Sequence, residues 1–335
     1  MASFISRRDR VFAAVAGDPP DRPPMAFWGH VYDRESTARD LAGSTLEQRD
    51  RHDWDFVKLN PRASYHGEPW GLSFRYPGGP AGKPERQSYP LRSLDDLLRL
   101  RPVPGDRGAL GEQLEAIRLV RRGLPDDVLL VETVFSPLAV LTDLSENTAA
   151  LERALAREPN AVRTALEAVT RTFEDFVPRA LAAGADGIYF ATVEWASADR
   201  PWTAEQYREF ATPYDLRVLG RAQGAAFNLL HVCRPRNFLA ALADYPVAAV
   251  SWDATADGNL DLAAGQDVVG GAVIGGIGHE DALLAEDDAL ALSQLERGFD
   301  LTGGRRWIVA PGCSIHPNTP PERLDALREA VLARV

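Results

Sequence analysis

Cys233 and Cys313 are the only cysteines in the chain, and His231 stands two residues before the first of them. In an extended segment, side chains at i and i+2 point to the same side. His231 and Cys233 can therefore offer an imidazole and a thiolate to one point in space, which Cys313 must reach from a distant segment. One imidazole and two thiolates suit zinc, and a catalytic zinc site keeps a fourth position for an exchangeable ligand. The competing reading is a pair of buried thiols serving as small apolar side chains. Both cysteines fall at the ends of apolar runs and one has a histidine beside it, which favours the metal. The pattern lacks the paired C-x2-C units of a structural zinc ribbon. In water a thiol is mostly protonated near neutral pH, and only its thiolate is a good nucleophile. Zinc binding that sulfur displaces the proton and holds the anion in place. Two cysteine thiolates on the metal leave the incoming sulfur electron-rich enough to attack an alkyl carbon in line.

These residues need a scaffold, and the chain alternates short apolar runs with helical stretches. Strands are expected at residues 23–30 (PPMAFWGH), 55–60, 127–133, 186–192, 226–233, 247–253, 273–278 and 307–313. A hairpin with a Gly-Gly turn is expected at 73–80. Helical spacing covers 111–122, 160–183 with Gly184 closing it, 203–223 with a break at Pro213, 238–243, 287–301 and 321–335, the last with Thr319 as its cap. Apolar strands alternating with helices imply a parallel sheet covered on both faces. About eight such units predict an α/β fold of the (β/α)8 TIM-barrel type, formed as a single domain over residues 1–335. An open doubly wound sheet is disfavoured, because no glycine-rich dinucleotide loop follows residues 23–30. Barrel chemistry sits at the C-terminal ends of strands. His231, Cys233, Asp253, His279, Cys313 and the pair Glu194 and Trp195 all fall on that rim. Trp28, Trp195 and Trp252 are read as core aromatics or as walls of a pocket there, and the Gly-Gly pairs at 270, 275 and 303 as tight turns and close packing.

The bulk composition narrows the partners. The chain has 335 residues, 45% of them hydrophobic, and a formal net charge of -11. An acidic surface argues against nucleic-acid or anionic-membrane partners, which need a basic footprint. No apolar run approaches the ~20 residues needed to span a bilayer. The first residues lack a secretory pattern, so a cytoplasmic protein is expected.

HVCRPRNF, the SWD segment 20 residues on, and PGCSIHPNTPPERLDALREAV resemble the uroporphyrinogen decarboxylase superfamily. They look most like its zinc-dependent branch, the methylcobalamin:coenzyme M methyltransferases. The opening SRRDRVFAAVAGDPPDRPPMAFWG and the DWDFVKLN stretch extend the resemblance over nearly the whole chain. It implies a (β/α)8 barrel and an H-x-C…C zinc site at His231, Cys233 and Cys313. It also implies a small-molecule thiol substrate and methylcobalamin supplied on a partner corrinoid protein. The decarboxylase proper typically has Gly-His where this chain has Gly312-Cys313. Its arginine-rich motif near the first strand is absent from AFWGHVYDR, which disfavours an eight-carboxylate tetrapyrrole as substrate. Cobalamin-independent methionine synthase is similar in its zinc logic and uses a glutamate about one strand after its H-x-C. That likeness makes Asp253 a catalytic residue and fourth-ligand candidate, with a loop or capping role as the rival, and Glu194 a second candidate from the rim. His279 and His316 are expected to be solvated or to support the ligands. A tetrapyrrole decarboxylase and a zinc lyase or hydrolase are the alternative functions.

Overall fold

The structure is a computed structural model and describes residues 5–334. Short polar side chains write most helix starts. Ser6 accepts the Asp9 backbone N–H at α1 (Arg7–Ala16), and Thr37 that of Asp40 at α2 (Ala38–His52). Reciprocal Ser93–Asp96 bonds open α3 (Leu94–Arg99). After α4 (Gly108–Gly123), Ser136 caps α5 (Pro137–Leu144) and Asn147 caps α6 (Thr148–Arg157). The long α7 (Pro159–Ala182) is followed by α8 (Ala204–Phe210) and α9 (Thr212–Gly220), with Pro213 in the first turn of α9. Asp261 caps α10 (Leu262–Val269), and α11 (Ala289–Thr302) and α12 (Pro321–Leu332) complete the set. Thr319 does not cap α12. Pro320 occupies that position and has no side-chain acceptor to offer, while Pro321 follows at the first turn, where its missing N–H costs nothing.

The strands are β1 (Phe56–Leu59), β2 (Ser73–Arg75), β3 (Glu85–Ser88), β4 (Leu129–Phe135), β5 (Gly187–Ala191), β6 (Leu229–His231), β7 (Ala249–Ser251), β8 (Ala272–Ile277) and β9 (Trp307–Pro311). β2 and β3 form the antiparallel hairpin. The other seven make one parallel sheet in the order β1-β4-β5-β6-β7-β8-β9. Their positions are buried almost throughout, as expected of a sheet covered on both faces.

The eighth expected strand, 23–30, meets the sheet only at isolated bridges, Met25 to Val309 and Gly29 to Ile315. Pro24 has no N–H to extend this ladder before the Val309 bridge, and Pro311 has none to extend it after. The segment nevertheless touches both edges. Val309 N donates to Pro24 O at 2.8 Å and Ala26 N to Val309 O at 3.1 Å, while Asp55 N, just before β1, donates to Met25 O at 2.9 Å. The Asp55 side chain is 1% exposed and accepts from Met25 N, Arg10 and Arg22. It ties α1, the 23–30 segment and β1 together. No helix among the described residues is long and apolar enough to cross a membrane.

Candidate metal centre

β6 ends at His231, β7 at Ser251 and β9 at Pro311, so Cys233, Asp253 and Cys313 each lie two residues past a strand end. Parallel strands put these three loops on one rim. Register sets His231 beside Ser251, and the His231 Nδ1 lies 3.2 Å from the Ser251 Oγ. The Tyr189 ring stacks on the imidazole at 5.4 Å. The His231 Nε2 is buried and has no hydrogen-bond partner. Cys233 and Cys313 are free thiols with their sulfurs 4.0 Å apart. The ligand atoms of His231, Cys233 and Cys313 all lie within 4.8 Å of one another.

These dimensions suit a tetrahedral ion. Two sulfurs at ~2.3 Å from zinc stand about 3.8 Å apart at the tetrahedral angle. An imidazole whose Nδ1 is held by a neighbour has its other nitrogen free for a metal. The two thiols also polarise each other. The hydrogen bond from Cys233 holds the Cys313 thiol well below the ordinary cysteine range against the effect of burial, helped by His231 and His279, and the same interaction raises Cys233.

Asp253 and Glu194 stand outside this cluster. The Asp253 Oδ1 accepts from the Thr255 N–H at 3.0 Å and the Thr255 hydroxyl at 2.6 Å, closing a turn of its own loop. Its Oδ2 is 3.1 Å from the His279 Nδ1. Burial opposes charge on that imidazole, yet Asp253 and the field of Cys313 carry its pKa above the usual value. Glu194 pairs with Arg200. The His316 Nδ1 accepts the Asn318 N–H in a separate turn. Of the three tryptophans, Trp195 bonds Thr142 and Trp252 bonds the Leu260 carbonyl, so both serve the core. Trp28 is buried with its ring 5.4 Å from Tyr189.

Several contributors carry no motif. Asn259 donates to the Arg234 carbonyl at 3.1 Å and the Asp253 carbonyl at 2.8 Å, joining the two loops. Val193, Arg234 and Arg236 hold left-handed backbone angles, a strain that clusters on this rim. Gly312 lets Cys313 approach, because a Cβ there would lie 2.4 Å from the Asp253 Cγ. Lys58 on β1 is buried, with its ammonium over the Tyr189 ring at 4.7 Å. Burial lowers its pKa to about 8, against the opposing field of Cys313.

The family model for uroporphyrinogen decarboxylase (URO-D) matches residues 6–333. The chain belongs to the URO-D family. Among URO-D relatives it is 26% identical over 267 residues to the uroporphyrinogen decarboxylase of Dichelobacter nodosus, covering 78% of this chain and 73% of that one. It is 27% identical over 352 residues to the methylcobamide:CoM methyltransferase MtaA of Methanosarcina barkeri, covering 97% of both. A methyltransferase from Methanosarcina mazei has the same fold, with a TM-score of 0.84, 22% identity, and coverage of 98% of this chain and 99% of that one. The likeness to MtaA supports the methyltransferase-like branch of this family.

Proposed function

We propose that the protein is a zinc-dependent methyl or alkyl transferase that activates a small thiol, with His231, Cys233 and Cys313 as the metal ligands. The observation that carries this reading is the buried, partnerless His231 Nε2 beside two thiols 4.0 Å apart. We also read the fold as one (β/α)8 barrel domain, with residues 23–30 as a reduced eighth strand.

Zinc held there by His231, Cys233 and Cys313 would supply a Lewis acid that favours the thiolate form of a bound thiol. The chain's own residues do the rest. Ser251 and Tyr189 fix the imidazole plane, and Asn259 fixes the spacing of the Cys233 and Asp253 loops. His279, paired with Asp253, stands ready beside Cys313 to take or hold a proton. Glu194, tied to Arg200, shapes the rim on the β5 side. The alkyl donor is methylcobalamin on a partner corrinoid protein, a reading supported by the methylcobamide in the name of the MtaA relative.

Elemental analysis should find about one zinc per chain without added metal. Cys233→Ser, Cys313→Ser and His231→Ala should each lose most of it, with circular dichroism unchanged. The cobalt-substituted protein should gain a sulfur-to-metal absorption band with the right thiol, and that thiol should demethylate methylcobalamin. Full turnover by metal-free protein, on a tetrapyrrole or any other substrate, overturns the reading. A metal site that ignores every thiol favours the lyase or hydrolase alternative.

A further inference from the structure

Lysine occurs only twice among the 37 Lys and Arg residues of this chain, at 58 and 83. Lys83 is exposed in the hairpin turn, whereas Lys58 sits inside β1 and is 7% exposed. Lys58 is the only cation in any strand of the parallel sheet. Pairing register fixes its direction. Lys58 lies beside Val131, and that face continues through Thr133 and Tyr189 to Ala191 and His231. The ammonium and the candidate metal ligand therefore share one face of the sheet. A single ring joins them: Tyr189 lies 4.7 Å from the Lys58 Nζ and stacks on His231.

The Nζ donates one hydrogen to the Asn60 Oδ1 at 2.5 Å. An ammonium has three donors, and its other neighbours are the faces of Tyr189 and Trp28. No carboxylate forms an ion pair with it among the described residues. Glu35 is committed to His30 and the Val31 N–H. Glu132 lies on the opposite face, where it accepts from Gln113 and burial raises its pKa well above the usual carboxylate range. Zinc with two thiolates has no net charge, so a loaded centre leaves the ammonium only the field of Glu35, which makes no ion pair with it. Burying an unpaired charge is costly. A buried ammonium without an ion-pair partner suits a counter-charge arriving from outside.

We propose that Lys58 is a substrate-recognition residue that holds the anionic group, a carboxylate or sulfonate, of an acidic small substrate whose reacting atom sits at the His231, Cys233 and Cys313 centre. This rests on the reading that the centre is where substrate reacts.

Protein grown with lysine carbon-13 labelled at Cε gives two ε resonances, and Lys83 serves as the internal control. The zinc-loaded protein is titrated with 3-mercaptopropionate, with propionate, and with neutral 3-mercaptopropanol. Both anions should move the Lys58 resonance, and the neutral thiol should leave it in place. Calorimetry should show the acidic thiol binding at least about tenfold tighter than the neutral one, the scale of a charged hydrogen bond. Lys58→Met should erase that advantage while zinc content and neutral-thiol affinity stay unchanged, and Lys58→Arg should keep part of it. A Lys58 resonance that ignores both anions overturns the proposal. Equal losses for both thiols in Lys58→Met do the same, because they would mean that Lys58 serves the metal centre. If Lys58→Met fails to fold, the wild-type resonances decide. If no thiol binds but propionate still moves Lys58, the thiol reading fails and the anion site stands.

Discussion

At the residue scale, Ser251 is the hinge of the candidate metal centre. Its hydroxyl is 3.2 Å from the His231 Nδ1 and 3.4 Å from the Tyr189 hydroxyl, so one side chain orients both rings. Losing a hydrogen-bond partner of this kind typically costs 10–100-fold in metal affinity, about that much being expected here. Ser251→Ala should therefore bind zinc roughly ten- to a hundredfold more weakly in chelator competition, with the fold intact. An affinity within about twofold of wild type would mean that stacking on Tyr189 alone orients the imidazole. His-x-Cys can be read from the chain as a ligand pair, but Ser251 cannot, since nothing local distinguishes it from any other strand serine.

At the scale of elements, the packing of α8 and α9 hides a carboxyl. Asp215 is fully buried, and its Oδ2 accepts from the hydroxyls of Tyr207 and Tyr245, at 2.9 and 2.8 Å. Burial raises its pKa to about 7, although both tyrosines oppose the shift. The folded state thus binds this proton more tightly than the unfolded state does. Between the unfolded value near 4 and about 7, the folded protein holds more protons, so stability falls as pH rises through that window. At about 1.4 kcal/mol per decade, the loss approaches about 4 kcal/mol by pH 7. Denaturant titrations at pH 5 and pH 8 should show the part of this drop above pH 5, about 2.6 kcal/mol, in the wild type and a much flatter response in Asp215→Asn. A wild-type slope retained by Asp215→Asn would place the effect on another group. The same scale explains which helices the sequence hides. The pattern of α7 runs long and clean, whereas α2 mixes Gly43, Ser44 and Thr45 into its middle, and α10 carries Gly265 where the Trp252 ring packs. Glycine and β-branched residues weaken the local helix signal, and burial against the sheet supplies the stability instead.

For the molecule as a whole, Asp55 holds the β1 end of the sheet to α1 and the amino-terminal segment. Its carboxylate receives Met25 N at 2.7 Å, Arg10 at 2.6 Å and Arg22 at 2.7 Å. Removing it leaves Arg10 with Asp21 alone, takes the carboxylate from Arg22 and leaves the buried Met25 N–H unpaired. Asp55→Ala should cost about 3–5 kcal/mol in urea unfolding. It should also speed hydrogen exchange at Ala26 and Val309, whose amide N–H groups bond across this junction. A loss under about 1 kcal/mol would show that the β9 bridge alone keeps the segment in place.

The local signals of this chain reached the strand and helix alternation, the rim placement of the reactive residues, and the His231 and Cys233 pair. Each depends on neighbours a few positions apart: apolar runs, caps, and the two-residue period of extended chain. Residues 23–30 read as a full strand because their apolar character is local, while Pro24 before the Val309 bridge and Pro311 after it limit them to bridges in the assembled sheet. The rest depends on register. Parallel pairing sets Ser251 beside His231 and puts Lys58 on the face of Tyr189 and His231, and it brings Cys313 within 4.0 Å of a thiol 80 positions earlier. No periodicity encodes these meetings. They follow from strands of different lengths fitting one curved sheet with their side chains buried, and that fit is decided only when the whole chain packs.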